Sequence, residues 1–188
     1  MGKYVTSRFV MFFAHLPNLG VFRKSMVKYT KFENTKCVGK NYNFMKSINI
    51  LKRELGEFEF LGYENQNSEY EGMVIQLTSN KKIVRSRLAK KTSKKDGYFV
   101  AFWEKNSLNV NCPFTEIDSP EELAILIVDE EKQGIFLIPK EVAVKNKILA
   151  NKNQKGKMAM RFYPSWCKNL NPTAKKTQSW QIIYFKEC

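Results

Sequence analysis

The order of hydrophobic and polar residues along this chain predicts a helix followed by several strands. Phe44, Ile48, Leu51 and Leu55 recur at helical spacing and predict an amphipathic helix over 42–57. Alternating or continuous apolar runs, rich in β-branched and aromatic residues, predict the strands. Their ranges are 58–62, 69–77, 83–88, 98–104, 121–129, 134–139 and 155–164.

The carboxyl-terminal third adds a helix at 140–150 and an ambiguous segment at 174–187. In that segment Trp180, Ile183 and Tyr184 have helical spacing, but the composition favours a strand. A helix, several strands, a helix and further strands predict an α+β fold, a single domain around a mixed β-sheet over residues 40–188.

The first 39 residues form a separate basic segment. It carries seven cations against Glu33 alone. We consider three interpretations: a loosely attached extension, a targeting segment, or an overlong gene model whose true start is Met26 or Met45. The first and third fit better, because the apolar run 9–14 resembles a signal sequence only loosely.

Composition fits one cytoplasmic domain with a real core. The chain has 188 residues, of which 43% are hydrophobic. No segment reaches the roughly 20 apolar residues that a membrane span needs. The four cysteines form no CxxC pair and His15 is the single histidine, so we expect free thiols, no metal site and no cofactor. The sequence leaves the oligomeric state open.

The distribution of charge gives the strongest indication of a binding partner. Residues 81–97, which include the predicted strand 83–88 and a basic loop from 89 to 97, hold eight cations and one acid, a net +7 of the chain's formal +14. Residues 145–176 hold nine cations and no acid, whereas 116–131 hold seven acids and no cation. We therefore expect one strongly positive face, for which nucleic acid is the commonest large partner.

Strand alternation selects the residues expected on that face. Arg85 and Arg87 point the same way in one strand, as do Lys157, Arg161 and Tyr163 in another. The other interpretations are a solvated charged edge for the cations and a packing role for the aromatic residues. The predicted phosphate contacts are Arg85, Arg87, Lys90, Lys91, Lys94, Lys95, Lys155, Lys157 and Arg161, and Tyr163 and Trp166 are the predicted stacking residues.

Several segments together resemble the MepB-like family of small bacterial proteins. They are EYEGMVIQL, RSRLAKKTSKKDGYFVAFWEK, GIFLIPK, KGKMAMRFYPSWC and AKKTQSWQIIYF, in that order within residues 42–186. The resemblance implies a restriction-endonuclease-like α/β core and nucleic-acid binding, with DNA favoured by that fold analogy alone. The family takes its name from a gene beside a multidrug efflux pump and its repressor.

A nuclease of that fold would hold Mg²⁺ on clustered carboxylates, with a lysine nearby. The candidates are Glu69 and Glu71 in one strand, and Glu130 with Lys132 beyond another. Arg85 and Arg87 stand where a carboxylate is needed, and Glu130 falls in a predicted hairpin turn. We therefore expect binding without catalysis. A metal-dependent nuclease and a regulatory protein-interaction module linked to efflux or stress are the alternatives.

Overall fold

A computed structural model describes residues 46–64 and 66–188, so the amino-terminal segment 1–39 lies outside the described residues. Its elements are α1 (Lys46–Leu55), β1 (Phe58–Tyr63), β2 (Met73–Leu77), β3 (Ile83–Thr92), β4 (Lys95–Ala101), β5 (Trp103–Lys105), β6 (Asn111–Pro113), β7 (Glu122–Asp129), β8 (Lys132–Pro139), α2 (Lys140–Lys145), β9 (Ala159–Phe162), α3 (Pro172–Gln181) and β10 (Phe185–Glu187). Short 3-10 turns occupy Ser68–Tyr70 and Ile182–Tyr184.

The main sheet has the strand order β1-β2-β3-β7-β8-β10. The β3–β7 pair is parallel and the other pairs are antiparallel, so the sheet is mixed. The predicted α+β fold around a mixed sheet is therefore confirmed. The finer likeness to a restriction-endonuclease core stays a prediction.

Strand β3 pairs with two separate sets of strands. Its first part pairs with β2 and β7 inside the main sheet, whereas Lys90, Lys91 and Thr92 pair with β4 instead. Strand β4 in turn pairs with β9. We call the end of β3 (Lys90–Thr92), β4 and β9 the ribbon.

Both faces of the main sheet are buried. On one face Ile50 and Leu51 of α1 pack with β2, β7 and β8 residues such as Leu126. On the other face Phe102, Phe114, Phe136 and Phe162 form an aromatic core with the alternate β7 residues. Burial on both sides explains why the β7 sequence ELAILIVD reads as a continuous apolar run rather than an alternating one.

Several predicted boundaries differ from the structure for local backbone reasons. The strand expected at 69–77 begins only at Met73, because Glu71 adopts a left-handed conformation with φ 46°. The helix expected at 140–150 ends at Lys145, and Lys147 follows with φ 59°. The ambiguous 174–187 segment contains both structures, α3 and then β10. No helix among the described residues is long and apolar enough to cross a membrane.

Candidate nucleic-acid interface

Three residues of the ribbon form a row across adjacent strands. Lys90 of β3 is in register with Phe99 of β4, and Phe99 is in register with Arg161 of β9. Because the neighbours Tyr98, Val100 and Phe162 point into the core, the row lies on the outer face of the ribbon. An aromatic ring therefore lies between two cationic residues on one surface.

Tyr70 supports this row from the 3-10 turn before β2. Its buried ring lies 6.4 Å from the ring of Phe99, centroid to centroid. The ammonium of Lys90 lies 5.3 Å from the centroid of the Tyr70 ring, and the guanidinium carbon of Arg161 lies 5.8 Å from that of Phe99. Such cation–π contacts hold both cations beside the aromatic rings.

Arg161 also holds the hairpin between β3 and β4. Its Nη2 donates to Thr92 Oγ1 at 2.7 Å, and its Nη1 donates to the carbonyl oxygen of Gly97 at 3.2 Å. Two longer contacts, at 3.4 and 3.5 Å, reach the carbonyl oxygens of Lys95 and Asp96. Arg161, a predicted phosphate contact, therefore also stabilises the hairpin, and its charge remains at the surface of the ribbon.

Tyr163 covers the same hairpin. A Cβ built on Gly97, which has φ 78°, would lie 2.5 Å from the Tyr163 ring, so the two residues touch closely. The ring is half-buried, and burial raises the pKa of its hydroxyl. Packing against Gly97 is the observed contact of this predicted stacking residue.

Lysines mark both ends of the ribbon. Lys94 and Lys95 are exposed at the hairpin, and Lys155 and Lys157 are exposed before β9. None of the four forms an ion pair with a carboxylate within residues 46–64 and 66–188. The Lys157 ammonium donates to the carbonyl oxygen of Asn146 at 3.0 Å, and the partial desolvation of this ammonium, with the charge of Lys147, lowers its pKa although the residue as a whole is exposed.

The two lysine groups are well separated. The β4–β9 pairing runs from Tyr98–Phe162 to Ala101–Ala159, and Lys157 lies two positions beyond its end, about six positions along the ribbon from Gly97. At roughly 3.3 Å per residue, this is about 20 Å along the ribbon. The predicted cations therefore flank the row of Lys90, Phe99 and Arg161 instead of forming one cluster.

Arg85 and Arg87 do not lie on an exposed rim, which corrects our expectation. They share one face of β3, as predicted, but their exposed fractions are only 3% and 1%. β3 is a central strand, and their face packs against the aromatic core. Burial lowers the pKa of Arg87, and the charge of Glu64 opposes that shift.

Glu64 and Phe114 are the partners of this buried pair. Arg85 Nε lies 2.9 Å from Glu64 Oε1, and Arg87 Nη2 forms an ion pair with Glu64 Oε2. The guanidinium carbons lie 4.1 and 5.2 Å from the Phe114 ring centroid, Arg85 being the nearer. The contacts indicate a structural role, because a buried charge needs such compensation.

Lys91 points to the face opposite Lys90. The two lysines therefore do not share one basic face, as we had expected them to. Its ammonium lies 2.9 Å from Asp129 Oδ2, to which the buried Tyr98 hydroxyl donates at 2.6 Å. Burial opposes ionisation of Asp129, but these two hydrogen bonds prevail and lower its pKa. Burial and the bond to Asp129 raise the pKa of Tyr98.

Trp166 belongs to the inner network of Lys91, Asp129 and Tyr98 and does not lie on the outer face of the ribbon. Its indole Nε1 donates to Tyr98 Oη at 3.1 Å, and its ring packs edge-on against Tyr98 and Phe185. The predicted alternative, a packing residue, fits these contacts better than base stacking.

The carboxylates proposed for a nuclease have other surroundings. Glu71 accepts hydrogen bonds from the backbone N–H and hydroxyl of Ser47, at 3.0 and 2.5 Å, at the start of α1. Glu69 is exposed. Glu130 lies in the β7–β8 turn, as predicted, and Lys132 stands 5.9 Å from the Trp166 ring centroid. Within the part of the chain that the structure describes, no group of three His, Cys, Asp or Glu residues could hold a metal ion.

Gln181 at the end of α3 occupies the outer edge of β9. Its amide donates to the Arg161 carbonyl oxygen at 2.9 Å and accepts from the Tyr163 N–H at 3.0 Å. The side chain thus satisfies the groups that an additional strand would otherwise bind. This contact fixes the Arg161 side of the row, and no sequence pattern pointed to it.

These features define an α+β domain whose ribbon carries a basic and aromatic outer face. The family model for MepB-like proteins matches residues 64–187. A solved structure, the crystal structure of MepB, is similar at 40% sequence identity with a TM-score of 0.67, covering 76% of this chain and 97% of that chain. A comparison with curated proteins found no match. The chain belongs to the MepB-like family.

Proposed function

We propose that this protein binds nucleic acid on the outer face of the ribbon, without cleaving it and with little dependence on base sequence. The observation that supports this most is the cross-strand row of Lys90, Phe99 and Arg161. An aromatic ring between cations can stack on a base while the cations contact its flanking phosphates. Stacking does not depend on which base is present.

The flanking lysines extend this surface along a strand. Successive phosphates of one duplex strand advance 3.4 Å along the helix axis, so a separation of about 20 Å between the lysine groups, measured along that axis, corresponds to about six steps. Lys94 and Lys95 would contact one end of such a segment, and Lys155 and Lys157 the other. Contacts to phosphate position the strand without reading its sequence.

Binding without cleavage fits the contacts of the candidate carboxylates. Glu71 is engaged with the start of α1, and Glu130 lies on a turn at the end of the inner network. DNA rather than RNA is our proposal from fold analogy. A cytoplasmic location fits the free thiols of Cys112, Cys167 and Cys188, since reducing compartments keep thiols unpaired. A link to multidrug efflux remains a proposal from the family name.

The test is a fluorescence-anisotropy titration of labelled single- and double-stranded oligonucleotides at several salt concentrations. We expect binding with a log–log salt slope of several units, because each neutralised phosphate contributes about 0.7 to 0.9. The strand type bound more tightly would name the ligand class. No binding at low salt to any oligonucleotide would overturn the proposal.

A further inference from the structure

The hairpin that follows the ribbon presents aliphatic side chains to solvent. Strands β5 and β6 pair with each other and are joined by the loop 106–110. In that loop Leu108 is 80% exposed and Val110 is 56% exposed. We call β5, β6 and this loop the apolar hairpin. The two side chains stand two positions apart on one loop among exposed polar residues, and an exposed apolar patch rimmed by polar residues is one mark of an interaction site.

The tip is held in one conformation by its own polar groups. The Asn106 Oδ1 accepts from the backbone N–H groups of Leu108 and Val110, both at 2.9 Å. The Lys105 ammonium donates to the carbonyl oxygen of Asn109, which has φ 59°. Because the loop is already ordered, its aliphatic side chains can insert into a partner without a large cost in conformational entropy.

The apolar hairpin adjoins one lysine group of the ribbon. Strand β5 begins two residues after β4 ends, and a Cβ built on Gly156 would lie 2.9 Å from the Cβ of Pro113 at the end of β6. The exposed Lys155 and Lys157 flank this glycine. The foot of the apolar hairpin therefore adjoins the cations proposed to hold phosphate, and its aliphatic tip lies one three-residue strand pair further on.

We infer that the apolar hairpin is a wedge that enters a nucleic-acid duplex and unstacks bases beside the strand held by the ribbon. This inference rests on the proposed function. Proteins that kink duplexes insert aliphatic residues between base steps while cations hold the phosphates. The rest of the tip also fits, because Asn109 and Asn111 are exposed amides that hydrogen-bond base edges but resist burial in lipid.

The test uses duplexes that contain 2-aminopurine, whose fluorescence rises when the base unstacks, with binding followed separately by anisotropy. The full chain should raise the fluorescence on binding. A variant with Leu108→Ser and Val110→Ser should lose most of that rise and keep the salt slope of binding, because no phosphate contact is removed. Ile183→Ser, which removes a side chain that is 74% exposed on the turn between α3 and β10 and outside the apolar hairpin, should retain the full rise.

Each contrary outcome has a distinct meaning. Duplex binding without a fluorescence rise, or an equal rise in the double variant, would overturn the wedge and leave the proposed function standing. No binding to any oligonucleotide would overturn both. Co-sedimentation with phosphatidylcholine–phosphatidylglycerol vesicles that depends on Leu108 and Val110, without a rise on duplexes, would identify a membrane-inserting hairpin instead.

Discussion

Arg161 and Phe99 face each other across β9 and β4, with the Arg161 guanidinium carbon 5.8 Å from the centroid of the Phe99 ring. The same guanidinium donates to Thr92 Oγ1 and to the carbonyl oxygen of Gly97. Its position over the ring is therefore fixed before any ligand binds. This preorganisation favours the proposed stacking of a base on the outer face of the ribbon, because little side-chain entropy remains to be lost.

Replacement of the ring is the simplest test of stacking. Phe99→Ala should weaken single-strand binding by about 1–3 kcal/mol, the usual contribution of one stacked base, and leave the salt slope unchanged. Anisotropy titrations measure both quantities. Phe99→Trp should retain the affinity, whereas an alanine variant that binds as tightly as the wild type would remove Phe99 from the interface.

Removal of the hairpin lysines should change the salt dependence. The double variant Lys94→Ala and Lys95→Ala should lower the log–log slope for duplex DNA by about 1.8, or 0.9 for each lost phosphate contact. Lys81→Ala is the matched control, because that exposed lysine lies 3.8 Å from Glu59 and outside the ribbon. An unchanged slope in the double variant would show that the hairpin does not touch phosphate.

Arg87 should contribute to folding rather than to binding. Arg87→Ala leaves Glu64 with a buried charge that is less well compensated, and should lower the free energy of unfolding by about 3–5 kcal/mol. Urea denaturation measures this loss. Wild-type stability with a salt slope lower by about one would instead support our first expectation of a phosphate contact.

The Asp129 network should make stability fall in acid. An unfolded Asp titrates near 3.8, and the folded carboxyl titrates lower because Tyr98 and Lys91 hydrogen-bond to it. The unfolded chain therefore binds more protons below about pH 4, and this part of the stability is lost as pH falls through the lowered pKa. Asp129→Asn should lack that component in urea titrations between pH 2 and 6. The same acid dependence in the variant would contradict the role of Asp129.

The sequence predicted much of the sheet because burial imposes patterns that can be read directly. The apolar run of β7, its hairpin with β8 and the shared face of Arg85 and Arg87 all follow from strand periodicity. Periodicity indicates which residues share a face but not what covers that face. The partner of the arginines, Glu64, lies 21 positions before Arg85, and no local pattern links them.

The interface was harder to predict for a related reason. We expected a basic loop from 89 to 97, whereas β3 continues to Thr92 and turns directly into β4. A strand places Lys90 and Lys91 on opposite faces, a distinction that a loop does not make. Extending the alternation through these residues would have separated them, but the pairing of Lys90 with Phe99 required the sheet register.

The decisive measurement is a nuclear magnetic resonance titration of the isotope-labelled protein with an oligonucleotide of about eight nucleotides, long enough to span the two lysine groups. We predict that amide shifts concentrate at Lys90, at residues 94–99 and at residues 155–163, and that they saturate together. Saturable shifts confined to α1 or to the β8–β10 edge, with the ribbon unchanged, would contradict this interface.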